Sequence, residues 1–99
     1  DSCAILLMRL LLLEPGSIPE QPDMGIGIIT RYLFADISSL DQLKLDIQNQ
    51  VATFLPELMA VTVQVYNIEK ELRIQITVDG VLYSFDTDSI GKALNISNL

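Results

Sequence analysis

Ninety-nine residues, 49% apolar and 19% charged, are enough for one small domain with one modest core. Thirteen acids against six bases give a formal charge of -7, which argues against a phosphate-backbone grip built from clustered Lys and Arg, so no nucleic-acid partner is expected. With no histidine the commonest general base and imidazole metal ligand are missing, and Cys3, the sole cysteine, excludes an internal disulfide and reads as a small buried apolar residue.

The chain opens at Asp1 without an initiator methionine, as a trimmed or partial chain would. Cys3 to Leu13 is an apolar run interrupted only by Arg9, about half of the ~20 residues needed to span a bilayer. No basic segment precedes it and no small-residue cleavage pattern follows, so a signal peptide is not expected. Good helix formers fill it and Glu14-Pro15-Gly16 supplies a stop, which predicts a helix over 3–13; a buried strand over Ile5 to Leu13 satisfies the same short run. Being apolar almost all round, such a helix is buried in its own fold or covered by a partner chain.

Pro15, Gly16, Ser17, Pro19, Pro22, Asp23, Gly25 and Gly27 then crowd into an ordered loop. Ile26 to Phe34 follows as an apolar segment with a helical turn or two. Ser38 or Ser39 caps a second helix over 39–55, whose Leu40, Leu43, Ile47, Val51 and Phe54 form one stripe. Asp41, Gln42, Lys44, Asp46, Gln48 and Asn49 read as its solvated face, and Pro56 ends it.

Past the proline the period changes to 2. Val61, Val63 and Val65 alternate with Thr62, Gln64 and Tyr66, and Leu72, Ile74, Ile76 and Val78 alternate with Arg73, Gln75 and Thr77, which predicts strands over 59–66 and 71–78. Asn67 to Lys70 makes the first hairpin loop. Asp79-Gly80 is a strong hairpin signal and adds a third strand over 81–85. The expected fold is α+β, one domain over 1–99, with N-terminal helices packed on a three-stranded antiparallel β-meander and a polar tail over 86–99.

Candidate chemistry is sparse. Asp86-x-Asp88 offers oxygens to a hard cation, but such a site needs several further ligands. A glycosidase needs two carboxylates roughly 5 to 9 Å apart across a sugar cleft. Glu14, Asp23 and Glu57 are the acids nearest to apolar or loop positions, without a recognisable catalytic setting. Gly25-Ile26-Gly27 lacks the third glycine, the lysine and the preceding strand of a phosphate loop, and Asn95-Ile96-Ser97 is a chance-level glycosylation sequon. No metal, cofactor or catalytic residue is expected. Surface behaviour remains: an over-apolar first helix, and a small sheet whose edge strands, 59–66 and 81–85, accept a foreign strand unless charge and twist guard them.

The segment Leu10 to Gly27, LLLLEPGSIPEQPDMGIG, resembles the signature of the baseplate wedge family of contractile phage tails that includes the sheath initiator. In that family an apolar helix ends at a Pro-Gly or Lys-Gly turn, and a Pro-Asp-aromatic-Gly step precedes a short helix. Leu13 to Gly16 and Pro22 to Gly25 occupy those positions, with Met24 where an aromatic is usual. The order helix, Pro56, antiparallel strands also agrees, so the resemblance covers about residues 3 to 85. Many members carry Glu-Pro-Arg where this chain has Leu55-Pro56-Glu57, which puts the ionic part of those wedge-core contacts in doubt.

The resemblance implies a non-enzymatic virion component of the tail baseplate, assembled in the bacterial host. Several copies would surround the tail axis, join the wedge core, meet the tube or hub, and offer a sheet edge to extended arms of the tail sheath protein. It implies partner contacts at Leu10, Leu13, Pro15, Gly16, Pro22, Asp23, Gly25, Gly27 and Pro56, and at Val81, Tyr83 and Phe85 of the third strand. A component of type VI secretion baseplates has the same architecture, so another contractile machine is the near alternative. Some members have been labelled acidic lysozymes, which makes a glycoside hydrolase the distant one.

Overall fold

The computed structural model describes residues 2–28, 31–32, 40–69 and 71–86. Helix α1 runs Ser2–Leu12 and helix α2 Leu40–Phe54; strands β1 Val61–Ile68, β2 Glu71–Val78 and β3 Val81–Asp86 follow. The sheet is antiparallel in the order β1-β2-β3. The α+β expectation therefore holds, and the strand alternative for the first apolar run gives way to a helix.

Alternation decides the core. Val63, Ile74, Ile76 and Phe85 are buried on one face of the sheet, with Leu72 and Val78 beside them. Register places Val63 opposite Ile76 and Ile76 opposite Tyr83, and Val65 opposite Ile74 and Ile74 opposite Phe85, so branched and aromatic side chains meet in rows across the strands. Leu43, Ile47 and Val51 of α2 and Leu7, Leu10 and Leu11 of α1 close over that face, joined by Ile26 and Ile28 from the loop between the helices.

Several boundaries move. Helix α1 stops at Leu12, although the Leu13 N–H still donates to the Arg9 carbonyl at 2.9 Å. Ile26 is buried outside any helix or strand, and helical structure begins only at Ile28; residues 29, 30, 33 and 34 of the expected apolar turn lie outside the described residues. So do Ser38 and Ser39, the expected caps of α2.

The first strand is shifted two residues from 59–66. Ala60 adopts a left-handed φ of 53°, and the Asp79 N–H reaches past it to the Met59 carbonyl at 3.0 Å, so regular pairing starts at Val61. At the other end Asn67 and Ile68 stay in the ladder opposite Leu72 and Glu71, leaving a tight turn where a four-residue loop was expected. The second hairpin closes as read: Asp79 and Gly80 have φ of 51° and 84°, the two positive values a type I′ turn requires. The expected tail begins one residue late, because Asp86 ends β3; residues 87–99, with Asp88 and the Asn95 sequon, lie outside the described residues.

Candidate functional site

Two kinds of surface are candidates, a stitched loop and an open sheet. The loop returns against the C-terminal end of α1, where helix carbonyls lack intrahelical donors. Ile26 N–H donates to the Leu10 carbonyl at 3.0 Å and Gly27 N–H to the Leu13 carbonyl at 2.9 Å. Within the loop, Gly16 N–H donates to the Pro22 carbonyl at 2.8 Å. This approach is so close that a Cβ on Gly25, at φ 121°, would lie 2.3 Å from the Leu13 oxygen. Only glycine fits there.

Helix α2 holds the other side of the loop. The Gln50 side chain accepts from the Gly25 N–H and donates to the Asp23 carbonyl, both at 2.8 Å, so one amide acts as a short strand partner for the loop. One turn earlier, Asp46 accepts from Tyr32 Oη, from Arg31 Nη2 at 3.3 Å and from Gln42 Nε2 at 3.0 Å. The Arg31 guanidinium lies 5.3 Å from the Tyr32 ring centre, within cation-π range. Burial, the Asp46 hydrogen bond and its charge push the Tyr32 hydroxyl up to about 12. Sequence reading put Asp46 on a solvated face and passed over Gln50 and Arg31; a helical pattern shows which residues are polar and not which loop they meet.

At the sheet, antiparallel pairs alternate between hydrogen-bonded and open, and a two-residue turn closes on a hydrogen-bonded pair. Val78 and Val81 close the second turn, so Val81, Tyr83 and Phe85 spend their backbone groups on β2. The backbone groups of Leu82 and Ser84 point away from it. By the same parity, Thr62, Gln64, Tyr66 and Ile68 pair with β2, and those of Val61, Val63 and Val65 point outward. Among the described residues no further strand pairs with β1 or β3.

Beside the β1 edge lies an open cleft of about 350 Å³ lined by Gln48, Val51, Ala52, Pro56, Leu58 and Val61. Met59, between lining residue Leu58 and the strand, is 68% exposed. On α1 the exposed residues Ser2, Ile5, Leu6 and Arg9 follow helical spacing and leave an apolar stripe, with Ile5 66% exposed. The first helix is thus buried on one face only. Its N-terminal end is tied to β3 by a hydrogen bond between Cys3 and Tyr83, which, with burial and the charge of Cys3, raises the Tyr83 hydroxyl.

The structure brings Leu13, Pro15, Gly16, Pro22, Asp23, Gly25 and Gly27 together in one loop. Pro15, Gly16, Pro22 and Asp23 are exposed on it, Leu13 is half-buried, and Gly25 and Gly27 are buried. Leu10 and Phe85 are buried in the chain's own core. Pro56 is exposed at the cleft, Val81 is exposed at the sheet corner, and Tyr83 is half-buried facing α1. On the third strand, the residues with outward backbone groups are Leu82 and Ser84. Asp23 and Glu57 are exposed, and among the described residues no carboxylate lines the cleft. Among the described residues no three Cys, Asp or Glu side chains cluster to hold a metal ion, and no helix is long and apolar enough to cross a membrane.

No family model matches the sequence, and no curated protein matches it either. Among solved structures, a "putative tail lysozyme" from Geobacter sulfurreducens is similar in fold, with a TM-score of 0.64 at 17% identity over 86% of this chain and 84% of that one. The two chains share a fold over most of their length.

Proposed function

We propose that this domain is a structural, non-enzymatic component of a contractile phage tail baseplate, linking the wedge core to the sheath and initiating sheath assembly. The observation that carries the reading is the pair of outer strands, each with outward backbone groups and no further strand beside it among the described residues, on a domain whose loop after α1 is hydrogen-bonded to both helices. A foreign strand gains main-chain hydrogen bonds at such an edge. The exposed stripe of Ile5 and Leu6 on α1 is a second contact, toward helices of wedge proteins. Similarity in fold to a protein named a tail lysozyme supports the setting, and the motif from Leu13 to Gly27 supports the family.

The neighbour's name also raises a hydrolase. Against it, the cleft is walled by apolar side chains and one amide, and Asp23 and Glu57 stand in the open. The chain would sit in several copies around the tail axis, without a cofactor.

The test is capture of separately expressed sheath and wedge proteins from the same genome by the purified chain, with peptidoglycan hydrolysis assayed on the same preparation. Capture without hydrolysis is expected. Hydrolysis that disappears when Glu14, Asp23 or Glu57 is neutralised, with no capture, would overturn the proposal.

A further inference from the structure

The turn between β2 and β3 brings together two groups that the fold leaves unused. Asp79 is exposed, and its carboxylate has no partner among the described residues. The Gly80 N–H has no acceptor there either: the turn is held by the closing pair Val78 and Val81 and by the Asp79 N–H on the Met59 carbonyl. A Cβ built on Gly80 would meet nothing within 4 Å, so this glycine stands clear of its neighbours. Asp79 is also the one aspartate in the sequence that glycine follows.

In a type I′ turn the first central residue has ψ of about 30°, which directs the next nitrogen away from its Cβ. A type II′ turn closes the same two-residue hairpin and differs by a flip of the central peptide plane, which takes that ψ to about -120° and the next φ to about -80°. At that ψ the Gly80 nitrogen eclipses Asp79 Cβ, by the tetrahedral geometry of an L residue, and comes within reach of Cγ. The flip breaks no hydrogen bond, since among the described residues the Gly80 N–H and the Asp79 carbonyl hold none. Glycine accepts either sign of φ. Asp79 is strained in the flipped turn, so that state is minor and the chemistry it permits is slow.

We propose that Asp79 is a site of spontaneous covalent modification, where the folded chain converts aspartate to isoaspartate with water as the only co-reactant. The Gly80 nitrogen attacks Asp79 Cγ. A C–N bond forms, one carboxylate oxygen leaves as water with the amide proton and a proton from solvent, and a five-membered imide closes. Water then adds to one of the two imide carbonyls. Opening at the side-chain carbonyl restores aspartate. Opening at the main-chain carbonyl breaks its bond to the Gly80 nitrogen, so the chain runs through Cβ and Cγ and the former main-chain carbonyl becomes a free carboxylate. The product has the mass and charge of the starting chain, and one more main-chain atom between Val78 and Val81. A two-residue turn of primed geometry then no longer matches the twist of β2 and β3. Because the Asp79 N–H also holds Met59, the change reaches the start of β1 at Val61.

The experiment keeps the full chain for weeks at neutral pH, warm but below its unfolding transition, beside the same chain unfolded in urea. Peptides are mapped by mass spectrometry, with enzymatic methylation of isoaspartyl carboxylates as the label. The expected result is isoaspartate at Asp79 in the folded sample, preceded by a species lighter by one water. In the aged fraction, amide exchange at Val78 and Val81 should be faster by about tenfold, as an opened hairpin end permits, with Leu43 and Ile47 unchanged. Asp79→Asn keeps a pair well suited to the turn and should convert faster, with ammonia leaving in place of water. No isoaspartate at Asp79 in the folded chain, a yield no higher than at exposed Asp23 or Asp41, or conversion in urea alone would each overturn the proposal. So would a folded Asp79→Asn variant that keeps its side-chain amide.

Discussion

The loop from Leu13 to Ile28 and the sheet from Val61 to Asp86 treat their backbone polar groups in opposite ways. In the loop, the N–H groups of Gly16, Gly25, Ile26 and Gly27 go to partners within the chain, one of them a side chain from α2. In the sheet, every second residue of both outer strands directs its groups outward. Buried backbone without a partner is costly, so a loop pressed between two helices must satisfy itself. An edge strand in water carries no such demand, and it stays available to another chain. The contrast separates the part of the molecule that fixes its shape from the part that can recruit.

The largest effect should come from a charge in the shared core. Ile74→Lys places an ammonium beneath both outer strands, where no acid lies among the buried residues, and should abolish the cooperative transition seen by circular dichroism. A folded variant would show that the alternation is misassigned. Gly25→Ala comes next, because both its φ and the Leu13 oxygen oppose a Cβ; about 3 kcal/mol of stability should be lost in urea unfolding. Gln50→Ala removes the clamp from the same loop and should cost about 1 to 3 kcal/mol, since it leaves the Gly25 N–H without its acceptor. If it costs no more than an exposed substitution such as Gln64→Ala, the loop is not held from α2.

The smallest effect is a pH dependence. Tyr32 is neutral when it donates to Asp46, and its folded value of about 12 lies above the ordinary 10.0. Its contribution is therefore fully present below pH 10 and is lost as pH rises through 12. Tyr32→Phe should remove that part of the alkaline loss and cost about 1 kcal/mol at neutral pH. An unchanged alkaline unfolding curve would place the sensitivity elsewhere.

What the sequence makes legible follows the same division. The sheet was readable because its period of 2, with Asp79-Gly80, specifies faces, partners and turn at once. Helix α2 was readable from the step of 3 and 4 in Leu40, Leu43, Ile47 and Val51. The loop was readable as an ordered loop and no further, since its fixing contacts come from Gln50, 25 residues from Gly25 along the chain, and from Asp46. Local pattern carries no record of such distant pairings. The candidate site divides likewise: alternation shows that Phe85 turns its side chain to the core, and it carries no record of what lies along either sheet edge.

The most direct test of the central claim is amide hydrogen exchange of this chain alone and mixed with a tail sheath protein from the same genome, the partner assigned under the proposed function. The account predicts new protection along one outer strand, with Gly25, Ile26 and Gly27 already slow in the free domain and unchanged on binding. Protection gained only in the Leu13 to Ile28 loop, with both sheet edges exchanging as before, would contradict it.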